Sequence, residues 1–70
     1  MQNSNVMIHV RFSPDGTVRE IGERPPGLGA QDWFHRLSNE AANAYQALSG
    51  GRGLFRLTPA QLTALKSGLM

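Results

Sequence analysis

Residues 29–51, GAQDWFHRLSNEAANAYQALSGG, leave a chain of this kind the fewest choices. At about 100° per residue around a helix axis, Trp33, Ala44, Leu37, Leu48, Ala30, Ala41, Phe34 and Tyr45 fall on one arc of about 120°. The opposite side carries His35, Ser38, Asn39, Ala42, Asn43 and Gln46. The spacing predicts a single long helix laid against a sheet. Gly29 serves as N-cap, and Asp32 sits in the first turn, where a carboxylate meets the positive end of the helix dipole. Leu28 and Trp33 occupy the two positions of a hydrophobic staple. Ser49-Gly50-Gly51 is read as the stop, because glycine takes the positive φ that a helix C-terminus commonly needs.

The rest of the chain falls into place around that helix. In residues 6–12, Val6, Ile8, Val10 and Phe12 alternate with Met7, His9 and Arg11, the pattern of a half-buried strand. Ser13-Pro14-Asp15-Gly16 is a turn, with proline presetting φ and glycine free to close a bulge. Residues 17–22 return as a second strand. Val18 and Ile21 reach one face only through a bulge near Arg19 and Glu20, which draws Glu20 towards the basic side chains of the first strand. Pro25 and Pro26 end that strand. Residues 52–57 predict a third strand, with Phe55 and Leu57 on one face and Leu54 and Arg56 on the other. Thr58-Pro59-Ala60-Gln61 opens a second helix with a capping box, and Leu62, Leu65 and Leu69 form its stripe.

The expected architecture is α+β, a two-layer ββαβα arrangement. Its three-stranded antiparallel sheet has order 2-1-3, with both helices on one face. The alternative sets the third strand parallel beside the second. Seventy residues make one domain, spanning 1–70 with a frayed stretch at 1–5. The opening methionine and short tails suggest a whole small protein.

With no cysteine, disulfides and thiolate metal sites are excluded, and a reducing compartment, the cytoplasm, is expected. No apolar run spans a bilayer, MQNSNV is not a signal peptide, and the neutral polar side of the long helix does not suit a membrane surface. The net charge is only +2, although six of the seven basic residues are arginine.

If the apolar strand positions face the helices, the open side of the sheet displays Met7, His9, Arg11, Leu54 and Arg56, with Arg19 joining them at the bulge. Arginine and methionine are favoured at protein interfaces. Trp33, at the edge of the helical arc, is either core or an interface anchor. These seven residues are the candidate interaction site. The ordinary alternative for the face is a solvated surface.

No cofactor, metal or catalytic constellation stands out. His9 and His35 lack partners at ligand spacing, and a metal needs three or four ligands. Ser13, Ser38 and Ser49 each have a turn, helix or cap explanation, and no base is placed to activate them. Gly50-Gly51-Arg52-Gly53 is neither a phosphate loop nor a repeated RGG segment. The expected function is therefore non-enzymatic: a protein-interaction module or small regulator, with a homodimer as one form of it. The second expectation is weak nucleic-acid binding through Arg11, Arg19, Arg52 and Arg56. Base stacking is not expected there, because Phe12 and Phe55 point to the other face.

Overall fold

The computed structural model describes residues 5–67. Residues 1–4 of the expected frayed tail, and Leu69 of the second helix, lie outside the described residues. Strand β1, Val6–Phe12, has Ile8 and Val10 buried and Met7, His9 and Arg11 exposed, as its alternation requires. The turn follows from its residues. Gly16 N donates to Ser13 O at 2.8 Å, and Ser13 N donates to Thr17 O at 2.8 Å. Asp15 Oδ1 accepts from Thr17 N at 3.0 Å and from Thr17 Oγ1 at 2.7 Å. Those two bonds, the backbone one foremost, hold the Asp15 carboxyl below its ordinary range. Strand β2, Val18–Ile21, pairs Arg11 with Glu20 and Phe12 with Val18, so Arg19 is the extra residue of a bulge.

Helix α1, Ala30–Glu40, starts at the Gly29 cap as expected but has only 11 residues. The single helix expected to run to Ser49 is overturned. Its last bond is Ala41 N to Leu37 O, at 2.8 Å, and Ala41 leaves the helix at φ −140° and ψ 45°. A short 3₁₀ turn over Ala42–Ala44 leads into strand β3, Tyr45–Leu48. The physical reason is partly length. A helix from 30 to 48 would run about 28 Å, whereas the seven-residue β1 spans about 23 Å. Eleven helical residues, about 16 Å, cross the sheet without overshooting it.

Gly50 and Gly51, at φ +78° and +71°, form a hairpin turn instead of a helix stop. They connect β3 to strand β4, Arg52–Leu57. Gly50→Val and Gly51→Val should each cost about 1–3 kcal/mol, because both positions need the left-handed region that a β-branched residue resists. Melting curves of the two variants check this. Parent-like curves would mean the hairpin turn closes some other way.

The sheet therefore has four strands in the order β2-β1-β4-β3, all antiparallel, in place of three in the order 2-1-3. The expected third strand is β4, and it does lie antiparallel beside β1. The strand missing from the expectation is β3. Burying β4 between two neighbours gives backbone groups on both of its edges a partner.

Helix α2, Pro59–Ser67, opens with the expected capping box: Gln61 N donates to Thr58 Oγ1 at 3.1 Å, and Thr58 N donates to Gln61 Oε1 at 2.8 Å. Trp33 and Leu37 of α1 and Leu62 and Leu65 of α2 share one core with Ile8, Val10, Phe55 and Leu57 of the sheet. Both helices thus cover the same face. Gln31 Oε1 accepts from Val18 N at 2.8 Å and pins α1 to β2. Arg36 Nε donates to Leu65 O at 3.3 Å and ties α1 to α2. No helix among the described residues is long and apolar enough to cross a membrane.

Candidate binding face of the sheet

Strand register builds the uncovered face row by row. Because Ile8, Val10, Phe55 and Leu57 point into the core, their chain neighbours point away from it. One end row carries Glu20, Arg11, Arg52 and Leu48 across β2, β1, β4 and β3. The middle row carries His9, Leu54 and Gln46. The far row carries Met7 and Arg56. Arg19 stands beside the first row on the bulge.

Met7, His9, Arg11, Arg19 and Arg56 are exposed there. Leu54 shares their face but is only 8% exposed, a correction to its expected place as open surface. It sits on a central strand between His9 and Gln46, whereas a three-stranded sheet would have left it on an edge. Trp33 is fully buried, and its Nε1 donates to Gly22 O at 3.0 Å. Of its two readings the structure takes the core one, and the interface anchor is left with no surface. Its indole satisfies a carbonyl at the end of β2 while its ring fills the space under α1.

The aromatic side chains gather on the covered side. Phe34 makes edge contacts with Phe12, Tyr45 and Phe55 at centroid distances of 5.4, 6.0 and 5.7 Å, and Tyr45 lies 4.9 Å from Phe55. None of these rings is on the open face.

Charge is unevenly divided. On the open face Arg11, Arg19, Arg52 and Arg56 stand against Glu20 alone, giving +3. The remainder, Arg24, Arg36 and Lys66 against Asp15, Glu23, Asp32 and Glu40, gives −1, and the total is +2. Lys66 Nζ and Glu23 Oε1 pair at 3.1 Å, away from the face. Arg11 and Arg52 are direct cross-strand partners. Like charges so placed disfavour the sheet, on the order of half a kcal/mol. Among the described residues the nearby relief is Glu20, whose Oε1 is 3.9 Å from Arg11 Nε. Arg52 Nε donates to Ser49 O at 3.1 Å, which holds that guanidinium beside the turn.

Two depressions open around these side chains. A broad, shallow one of about 620 Å³ is lined by His9, Arg11, Arg19, Glu20 and Arg24, among others. A smaller recess of about 170 Å³ is lined by Arg11, Phe12, Arg19, Gly50, Gly51 and Arg52. The sequence reading kept Arg52 for the nucleic-acid alternative and did not place it opposite Arg11. The signal for it was Gly-Gly between two alternating apolar stretches, which marks a hairpin and would have added a strand before the turn, with Leu48 opposite Arg52. Gln46 and Leu48 were missed for the same reason.

His35 is engaged with Gln31 at 3.3 Å. No three His, Asp or Glu side chains converge among the described residues. The face can hold anions and can present a neutral centre between cationic ends. Compared with known protein families, with curated proteins and with solved structures, the chain matches none.

Proposed function

We propose that this chain is a non-enzymatic binding domain that docks the open face of its sheet against another protein, with a second copy of the chain as one form of that partner. The observation that supports it is the layout of the face: His9, Leu54 and Gln46 in a middle row without arginine or carboxylate, arginines at both ends, and Met7 exposed. Interfaces pair a desolvated centre with a polar rim and favour Arg and Met. Strands of seven, four, four and six residues, at about 3.3 Å per residue and about 4.8 Å spacing, present on the order of 300 Å² of projected surface. That is below the roughly 800 Å² per partner of a stable complex, so the contact belongs to the transient class. The absence of cysteine supports a reducing compartment, the cytoplasm.

The charge of the face favours a second occupant, nucleic acid. Without aromatic rings there, contact would run through phosphates. Four phosphate contacts imply a salt slope of about −3.6, or roughly a hundredfold loss of affinity between 50 and 200 mM salt. A protein interface with a neutral centre has no such slope.

One pair of substitutions separates the outcomes. Arg11→Glu with Arg56→Glu should leave folding within about 0.5 kcal/mol of the parent, since both side chains are exposed. It should abolish protein capture or self-association, measured by pull-down and native mass. Loss of a salt-sensitive nucleic-acid complex instead would move the assignment to the second occupant. A folded variant that keeps every interaction of the parent would reduce the face to solvated surface.

A further inference from the structure

We infer that the recess between Arg11, Arg19 and Arg52 is an oxyanion site, and that it takes a phosphomonoester carried by a side chain of the partner protein. The inference rests on the open face being the docking surface and names the chemistry that one end of it recognises. Arg11 and Arg52 are paired across β1 and β4, and Arg19 projects from the bulge of β2. The three backbone positions thus lie within about 10 Å, two strand spacings. All three arginines line one recess of about 170 Å³. All three side chains are exposed, so no buried partner requires arginine at any of them.

Two like charges in direct register are a cost to the unliganded sheet. An anion between them turns that repulsion into attraction. Glu20 offers only partial neutralisation, reaching Arg11 at 3.9 Å with a side chain 70% exposed. The turn contributes as well. Gly50 and Gly51 line the recess with no side chain to fill it, and the bond from Arg52 Nε to Ser49 O ties that side chain to the same turn.

The clustering decides between ester types. A phosphomonoester at neutral pH carries nearly two charges and three free oxygens, and each oxygen suits one guanidinium fork. A phosphodiester has one charge and two free oxygens. A backbone of diesters is better served by cations spread along a track, whereas Arg56 stands four residues from Arg52, about 13 Å along the strand.

The test uses phenyl phosphate as monoester and dimethyl phosphate as diester, each titrated into the folded chain against sodium chloride at equal ionic strength. Binding is read from the Nε–H signals of the arginines by NMR. Phenyl phosphate should shift Arg11, Arg19 and Arg52 saturably and leave Arg36 and Arg56 in place, with dimethyl phosphate at least about tenfold weaker. Arg52→Gln and Arg11→Gln should stay folded by their amide spectra, and each should weaken phenyl phosphate binding about tenfold, as expected for losing one charged hydrogen-bonding group. Glu20→Gln should tighten it, because the competing carboxylate is gone. Equal response to chloride, uniform movement of all arginines, or no loss in Arg52→Gln would overturn the site. Equal binding of the diester would overturn the monoester assignment and point to nucleic acid. If phosphate binding fails while the parent still captures a protein through the face, the oxyanion site falls and the proposed function stands. Phosphate binding without any capture would keep the oxyanion site but overturn the proposed function and, with it, the protein-borne ester.

Discussion

Trp33→Ala is expected to unfold most of the population at room temperature. The ring is fully buried under α1, and truncating a buried tryptophan costs about 3–5 kcal/mol. A domain of about seventy residues holds only about 3–5 kcal/mol in all. The loss also strips Gly22 O of its donor. Trp33→Phe separates the two contributions. It keeps most of the apolar volume but removes the N–H, so the carbonyl is left unsatisfied at about 1–3 kcal/mol. The expected order of melting temperature is parent, Trp33→Phe, Trp33→Ala, read by circular dichroism because the only tryptophan is the residue being changed. A Trp33→Ala variant that melts within a few degrees of the parent would mean that α1 is not seated on the sheet as described.

Gly53→Ala should be nearly as damaging for the opposite reason. A Cβ at Gly53 would lie 2.6 Å from Tyr45 Cε1 and 2.7 Å from Cζ, with the hydroxyl oxygen also in the way. Outside that context, alanine in a strand is the better residue, since glycine has more conformational freedom to lose on folding. Tyr45 cannot simply swing aside, because Phe34 and Phe55 hold its ring. Forcing an extra methyl into packed surroundings costs about 1–3 kcal/mol, and each kcal/mol lowers the melting temperature of a small domain by about 4–8 °C. In a Tyr45→Ala background the same change should cost at least about 1 kcal/mol less, the signature of contact in a double-mutant cycle. Equal costs in the two backgrounds would clear the tyrosine ring of responsibility.

These two positions mark what the sequence discloses and what it withholds. Strand β1, its turn, the bulge at Arg19 and the capping box at Thr58 are local patterns, each decided by residues within a few positions of one another. The adjacency of β1 and β4 was legible because β1 is apolar enough to be central. Residues 41–48 were not. Ala41, Ala44, Tyr45 and Leu48 follow a helical spacing, yet Tyr45 and Ala47 also alternate with Gln46 and Leu48 as a strand does. Both periods fit, and the choice is made by β4, whose buried residues need a neighbour on the second side. The open face was read correctly for Met7, His9, Arg11 and Arg56 because alternation alone decides it. The pairing of Arg11 with Arg52 depends on a hairpin turn that had been spent on ending a helix, so the recess could not be foreseen.

The order β2-β1-β4-β3 also governs how the molecule reaches its shape. The chain is two successive strand–strand–helix units laid side by side, joined along the seam between β1 and β4. Pairs across that seam, from Arg11 with Arg52 to Val6 with Leu57, are 41 to 51 positions apart. A lone two-stranded hairpin is marginal in water, so neither unit has a sheet to fold onto until the other arrives. The entropy of closing that long loop must be met before the seam returns any contact energy, which slows the search relative to a helical bundle of equal size. Formation of the seam is thus the event that commits the chain. It completes the core on one side of the sheet and brings Arg11 and Arg52 together on the other, so the recess exists only in molecules that have finished folding.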